Sequence, residues 1–222
     1  MAKGPRTLDR VSVGSSGWSY PTWRPGFYPA GLDPAEFLHF YAERFRTVEL
    51  NTTGYRIPSE EQFERWAAQA PDGFEFAPKL PGNRPRSLDV FESRVRALGD
   101  RLGPIRVSLQ SARDDGLIEL LLGSLDTDVR NGGLRVAFDL EHPSWNGVEE
   151  RLATAGAVRV NDLSTPASFR YVRLREPPYD DVGLQELAER VRNVDEPTYV
   201  YFRHEDAPTA PAYAQRLVEL LR

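Results

Sequence analysis

Residues 105–141 read IRVSLQSARDDGLIELLLGSLDTDVRNGGLRVAFDLE, a strand, a helix and a second strand in succession. Val107 and Leu109 alternate with Ser108 and Gln110, and Val136, Phe138 and Leu140 alternate with Asp139 and Glu141. This period of two marks strands that bury one apolar face. Between them, Leu117 to Leu125 reads as a helix. The same unit repeats in both directions along the chain. Strands are predicted at Val11 to Ser15, Thr47 to Asn51, Phe74 to Lys79, Ala157 to Asn161, Phe169 to Arg175 and Thr198 to Arg203.

Helical patterns fill most of the intervals. Asp33 followed by Pro34 supplies an N-cap and a first-turn proline ahead of Phe37, Phe40, Tyr41 and Phe45. Ser59 with Gln62 forms a capping-box pattern before Phe63, Trp66, Ala67 and Ala70. Leu88, Phe91, Val95, Leu98 and Leu102 continue the series, followed by Val148 to Ala155 behind an Asn146 cap, Leu184 to Val191, and Tyr213 to Leu221. Only Asp162 to Ser168, after the sixth strand, is too short for more than a turn. Eight alternations of strand and helix imply a parallel sheet, and eight units can close it into a (β/α)8 TIM-type barrel. The competing open, doubly wound sheet lacks its phosphate fingerprint, since no Gly-x-Gly-x-x-Gly follows the first strand. The expected organisation is a polar tail at 1–10 and one barrel domain over 11–222.

Composition narrows the function classes. With 222 residues, 40% hydrophobic and 27% charged, the chain suits one globular core, and no apolar run is long enough to cross a bilayer. The polar first ten residues carry no secretory signal, so a cytoplasmic location is expected. The absence of cysteine excludes disulfides, thiolate nucleophiles and thiolate metal sites. A net charge of −5 disfavours nucleic acid as a partner, leaving a local basic groove as the one route to it. Lysine occurs only as Lys3 and Lys79 among many arginines, which singles out Lys79 as an amine that can lose its proton where arginine cannot.

Splitting each strand by parity puts Val48, Leu50, Val158, Val160, Val172, Leu174, Val200 and Phe202 on the helix-facing side with the residues already named. The opposite face carries Glu49 and Asn51, Lys79, Ser108 and Gln110, Asp139 and Glu141, Arg159 and Asn161, Arg173 and Arg175, and Arg203. In a barrel this face converges on the axis, and its polar residues lie toward the end where such barrels place their active sites. Bases outnumber acids there, an imbalance to be relieved by solvent, by loop acids such as Asp162 and Asp206 or by an anionic ligand, unless the charges form a self-neutralising network of ion pairs that closes the barrel top. Trp18, Tyr20, Trp23, Tyr55, Trp145 and Tyr179 stand in the loops beyond these ends, suited to stacking on a sugar ring or to plugging the barrel, whereas Trp66 fits a helix stripe. His142 and His204 follow strands five and eight near Asp162 and Asp206, without the tight spacing of a metal motif; His39 reads as solvated. No metal and no cofactor is expected.

Several of these segments resemble the YecE-like family, a domain of unknown function with a TIM-barrel-like fold. Gly17-Trp18-Ser19-Tyr20 with Trp23 and Phe27-Tyr28-Pro29 is similar to its opening signature. Thr47 to Asn51 with Tyr55-Arg56 and Pro58-Ser59, Phe74 to Lys79, His142-Pro143-Ser144-Trp145, Asp162, Tyr171 to Leu174 and Tyr199 to Phe202 continue the pattern from about Val13 to the carboxyl end. The chain departs from it in the cup: the family usually has Phe at Gly54, Arg at Glu141, His-Gly at Arg175-Glu176, two Asn at Arg203-His204, and Gln-Leu-Pro-Pro at Gln110 to Arg113. An acid gained at 141 beside arginines gained at 175 and 203 predicts that Glu141 pairs with Arg175 or Arg203.

Three functional readings follow. The first is an enzyme, such as a hydrolase, or a binding protein for an anionic or sugar-like small molecule. In it Glu49 and Asp139 are the acid/base pair, Lys79 is a cation or amine catalyst, and Arg173 with Arg203 clamps an anion. The second is metal-dependent nucleic-acid processing, by analogy with barrel endonucleases. The third is a barrel that binds without catalysis. Oligomeric state leaves no mark in the sequence.

Overall fold

The computed structural model describes residues 7–80, 87–127 and 132–222. The strands are β1 (Val11–Ser15), β2 (Thr47–Leu50), β3 (Glu75–Leu80), β4 (Ile105–Leu109), β5 (Val136–Leu140), β6 (Val158–Arg159), β7 (Arg170–Leu174) and β8 (Thr198–Phe202). The helices are α1 (Thr7–Arg10), α2 (Phe37–Ala42), α3 (Glu60–Gln69), α4 (Leu88–Val95), α5 (Asp115–Ser124), α6 (Glu149–Thr154), α7 (Asp181–Arg192) and α8 (Thr209–Leu221). As expected, no helix lies between β6 and β7. Thr7 to Arg10, read as tail, form a helical turn whose Leu8 packs on the core, while residues 1–6 of that tail lie outside the described residues.

Every strand pair is parallel, in the orders β1-β8-β7 and β2-β3-β4-β5-β6. Two seams join these runs into the cyclic order of a (β/α)8-type barrel. At the first, Ser16 bridges to Glu49. A Cβ on Gly14 would stand 2.1 Å from the Thr47 carbonyl oxygen, so only glycine lets β1 come this close to β2. At the second seam β6 has ended, and Asn161 takes over the pairing. Its N–H donates to Tyr171 O (2.8 Å), its Nδ2 to Arg173 O (3.1 Å), and its Oδ1 accepts from Arg173 N–H (2.7 Å). Asn161 does this at φ 68°, a left-handed conformation that asparagine tolerates better than most residues.

The outward strand residues pack under the helices in one large cluster that includes Val48, Val107, Phe138 and Val200 from strands and Phe37, Phe63, Phe91 and Leu217 from helices. The barrel interior is a separate cluster, in which Ala77 and Ala137 leave room for Phe169, Tyr171, Tyr199 and Tyr201. Its amino-terminal end is closed by polar contacts. Arg135 Nη2 donates to Glu75 Oε1 (2.5 Å) and Leu102 O (2.7 Å), while the Tyr199 hydroxyl donates to Glu75 Oε2 (2.8 Å).

β6 corrects one parity assignment. Val158 and Val160 face the interior, and Arg159 reaches outward to Glu149 on α6. The register gives the reason: Ala137 pairs with Val158 and Phe138 with Arg159, so β6 takes its inward set from its neighbour, whatever the charge on residue 159. Two caps also differ. Asp33 accepts from Ala35 N–H as expected, but Ser59 makes no side-chain cap bond, and α6 begins after Val148 while Asn146 accepts from Arg159 (3.3 Å).

Candidate functional site

Inward positions on β2, β3, β4, β5 and β7 bring Glu49, Lys79, Arg106, Asp139, Arg173 and Arg175 together, with Arg106 entering from the second residue of β4, in register with Lys79, and Arg175 from just past the end of β7. Arg106 is the hub. Its Nη1 donates to Asp139 Oδ2 (2.7 Å) and its Nη2 to Asn51 Oδ1 (2.7 Å). Its Nε stands 2.8 Å from Glu49 Oε2 without hydrogen-bond geometry, so that contact is an attraction of charges only. Arg173 Nε is 3.1 Å from both Glu49 oxygens, and the Tyr171 hydroxyl donates to Oε2 (2.7 Å). Arg175 donates to Asp139 Oδ1.

Glu49 and Arg106 are almost wholly inaccessible, at 0% and 2% exposure. Burial alone would raise the Glu49 carboxyl, but the charges of Arg106 and Arg173 and the hydrogen bonds from Tyr171 and Arg173 outweigh it and hold the group down to about 2. Glu49 is therefore an ionised anchor near neutral pH, with both oxygens occupied. Asp139 also has both oxygens engaged by guanidinium groups.

Lys79 stands apart from these pairs. It is half-buried, and among the described residues it makes no ion pair. Its Nζ lies 5.4 Å from the ring centre of Tyr55, which is exposed. Burial lowers its pKa first, followed by the nearby charge of Arg106; Glu49 and Asp139 offset part of this and Arg173 adds to it.

The remaining positions divide clearly. Glu141 lies on the rim, 3.8 Å from Arg175 Nε, so the expected pair forms with Arg175 as a long, half-exposed contact. Arg175 Nε is itself buried without a hydrogen-bond acceptor. Gln110 and Arg203 are exposed beyond their strand ends. His204 turns toward β1 once β8 has ended, stacking on Tyr20 (4.7 Å) with Nδ1 3.2 Å from Ser16 Oγ. Burial lowers its pKa first, and Arg203 and Arg173 lower it further.

Most of the loop aromatics are packing residues. Trp145 is buried with Nε1–H on Ser111 O (2.9 Å), Trp23 is buried with Nε1–H on Glu205 O (3.0 Å), and Trp18 packs edge-on to Trp66 (5.3 Å). Tyr179 packs on Phe202 and Tyr213. Tyr55 alone of this set is broadly exposed beside a cup residue. His142 caps its own turn through Ser144 N–H, and Asp162 accepts from Ser164 N–H (2.9 Å) and Ser164 Oγ (2.7 Å). Among the described residues, no group of three or more His, Asp and Glu is placed to hold a metal ion.

Beside the cup, an open cleft of about 810 Å³ is lined by Asp139, Glu141, Glu149, Glu150, Asp162, Arg159 and Arg175 among others. Arg106 and Tyr171 are the cup residues the sequence reading missed. Both share parity with residues it did select, Ser108 and Arg173, but each lies one step deeper in its strand.

Fold and mouth together define an α/β-barrel protein whose strand ends are tied by arginine–carboxylate pairs. The chain belongs to the family described as Protein of unknown function DUF72, whose model matches residues 12–222. It is 27% identical over 157 residues to the UPF0759 protein YecE of Escherichia coli K12, a match covering 66% of this chain and 54% of that protein. The matched region thus spans about half the length of this curated relative. Two solved DUF72 family structures share the fold. The protein from Thermotoga maritima MSB8 superposes with a TM-score of 0.76 at 24% identity, covering 95% of this chain and 98% of that one. The protein from Enterococcus faecalis V583 gives 0.70 at 16% identity, covering 95% of each chain. Among the described residues, no helix is long and apolar enough to cross a membrane.

Proposed function

We propose that the barrel mouth binds a small anionic molecule, with Lys79 and Arg173 as its inner contacts and Arg175 and Arg203 at the rim. The observation that carries this reading is an imbalance of charge. Glu49 and Asp139 are the buried carboxylates, whereas Arg106, Arg173, Arg175 and Lys79 all bring positive charge to the same end of the barrel. Glu141 at the rim offsets only part of the excess, through a half-exposed contact at 3.8 Å. A bound carboxylate or phosphate supplies the missing negative charge and gives the Lys79 ammonium an acceptor.

Two features favour a small ligand over a polymer. The charged residues lining the cleft beside the cup are mostly acids, which repels a phosphodiester backbone laid across the mouth. With Trp18, Trp145 and Tyr179 committed to packing, Tyr55 is left as the stacking surface beside Lys79, which is too little for an extended sugar or base platform.

Calorimetric titration with inorganic phosphate and with sulfate tests the reading. Saturable binding is expected, weakened about tenfold by Lys79→Met, which removes a charge that has no ion-pair partner among the described residues. Binding that is absent, or indifferent to Lys79→Met and Arg203→Ala together, would refute it.

A further inference from the structure

Lys79 has features that anion binding does not require. Arginine serves every other cationic position of the cup, yet this one holds an amine. The acids that influence it are already committed: Glu49 to Arg173, Tyr171 and Arg106, and Asp139 to Arg106 and Arg175. Its backbone is pinned, since Lys79 N–H donates to the buried hydroxyl of Thr53 (2.8 Å). Its stem runs against Gly54, where an added Cβ would come within 2.6 Å of Lys79 Cδ. The side chain thus follows a lane that glycine leaves open, and its Nζ emerges beside the exposed Tyr55 ring.

We propose that Lys79 is the amine of a Schiff-base site for a carbonyl compound bearing a carboxylate or phosphate. This inference rests on the anion-site reading. The guanidinium groups of Arg173 and Arg175 take the anionic group, and the carbonyl carbon is presented to Nζ. The neutral amine attacks that carbon, a C–N bond forms, and a proton passes from nitrogen to the former carbonyl oxygen. The carbinolamine then loses its hydroxyl group together with the remaining N–H proton as water as the C=N bond forms, leaving the imine, with nothing oxidised or reduced. Burial and the neighbouring arginines favour the uncharged amine that this attack needs.

The chain has only two lysines, so the test has a built-in reference in Lys3. The 222-residue chain is incubated near neutral pH with pyruvate, with dihydroxyacetone phosphate and with neutral hydroxyacetone, each in the presence of sodium cyanoborohydride. Adducts are located by intact mass and peptide mapping. The inference expects Lys79 to be modified roughly tenfold faster than Lys3 by pyruvate or the phosphate ester. It also expects inorganic phosphate to suppress the modification, and Lys79→Arg to abolish it with an unchanged circular dichroism spectrum. Pyruvate reacting fastest assigns a 2-oxo acid, and the phosphate ester reacting fastest assigns a phosphorylated ketone. Equal rates at Lys79 and Lys3, or hydroxyacetone reacting as fast as the charged compounds, overturn the inference. If phosphate still binds in the parallel titration, the Schiff base alone is refuted; if phosphate does not bind, the anion site falls with it.

Discussion

Replacing Glu49 by glutamine keeps the shape of the side chain and an acceptor for the Tyr171 hydroxyl, but removes the charge on which Arg106 and Arg173 both depend. The folded carboxyl is held at about 2 against an ordinary 4.5. That depression corresponds to roughly 3 kcal/mol of stability, in line with the ~3–5 kcal/mol lost when one member of a buried ion pair is removed. The group is fully buried, so solvent screening does not reduce the figure. Because the folded pKa is depressed, this contribution is complete above the unfolded carboxyl pKa and is lost as pH falls from there toward about 2. Urea denaturation of wild type and Glu49→Gln across that range is the assay. The variant should be about 3 kcal/mol less stable near neutrality, and the gap should shrink below about pH 4.5 as the unfolded carboxyl takes up its proton, to roughly half by about pH 3, closing only toward pH 2, where folded Glu49 is itself protonated. A gap below about 1 kcal/mol near neutrality, or one that stays constant as pH falls, would refute the reasoning about the cup's electrostatics.

Other positions give separate tests. Arg106→Met should cost at least as much as Glu49→Gln, and the double variant should cost clearly less than the two losses added, since both break one network; additive losses in a urea cycle would mean the contacts are independent. Asn161→Ala should destabilise by about 1–3 kcal/mol, because it leaves Arg173 N–H and O at the β6–β7 seam without their side-chain partners. Native-state hydrogen exchange should then show faster exchange at the Arg173 amide, and unchanged protection there would contradict the role given to Asn161. Glu141→Gln should change stability by less than about 1 kcal/mol in thermal unfolding, as suits a 3.8 Å half-exposed contact. Gly54→Ala should weaken phosphate binding in calorimetry by displacing the Lys79 stem, with little loss if the stem has another path.

The fold was legible because strand parity and helix spacing repeat along most of the chain. Where parity misled, at β6, only two residues carry ladder pairing, too few for alternation to fix a face, and a charged side chain there had a partner on α6. The main members of the site were legible as polar residues opposite valines and leucines. Arg106 was not, because a guanidinium between Ile105 and Val107 looks out of place inside a barrel until the carboxylates on either side of it are seen. The loop aromatics were ambiguous for another reason. A tryptophan whose indole N–H finds a loop carbonyl, as Trp145 and Trp23 do, carries the same sequence signature as one waiting for a ligand. Closure between β6 and β7 depends on a side chain mimicking backbone, which no periodicity encodes.

In the proposed site, an anion is the counterpart of the cationic excess at the strand ends. Selenate, a phosphate-sized anion visible by its anomalous scattering, can be soaked into crystals of the unaltered protein. A selenium peak within contact distance of Lys79 Nζ and the Arg173 or Arg175 guanidinium is the predicted result. Selenate bound only on outer surfaces, with the cup filled by solvent, would contradict it.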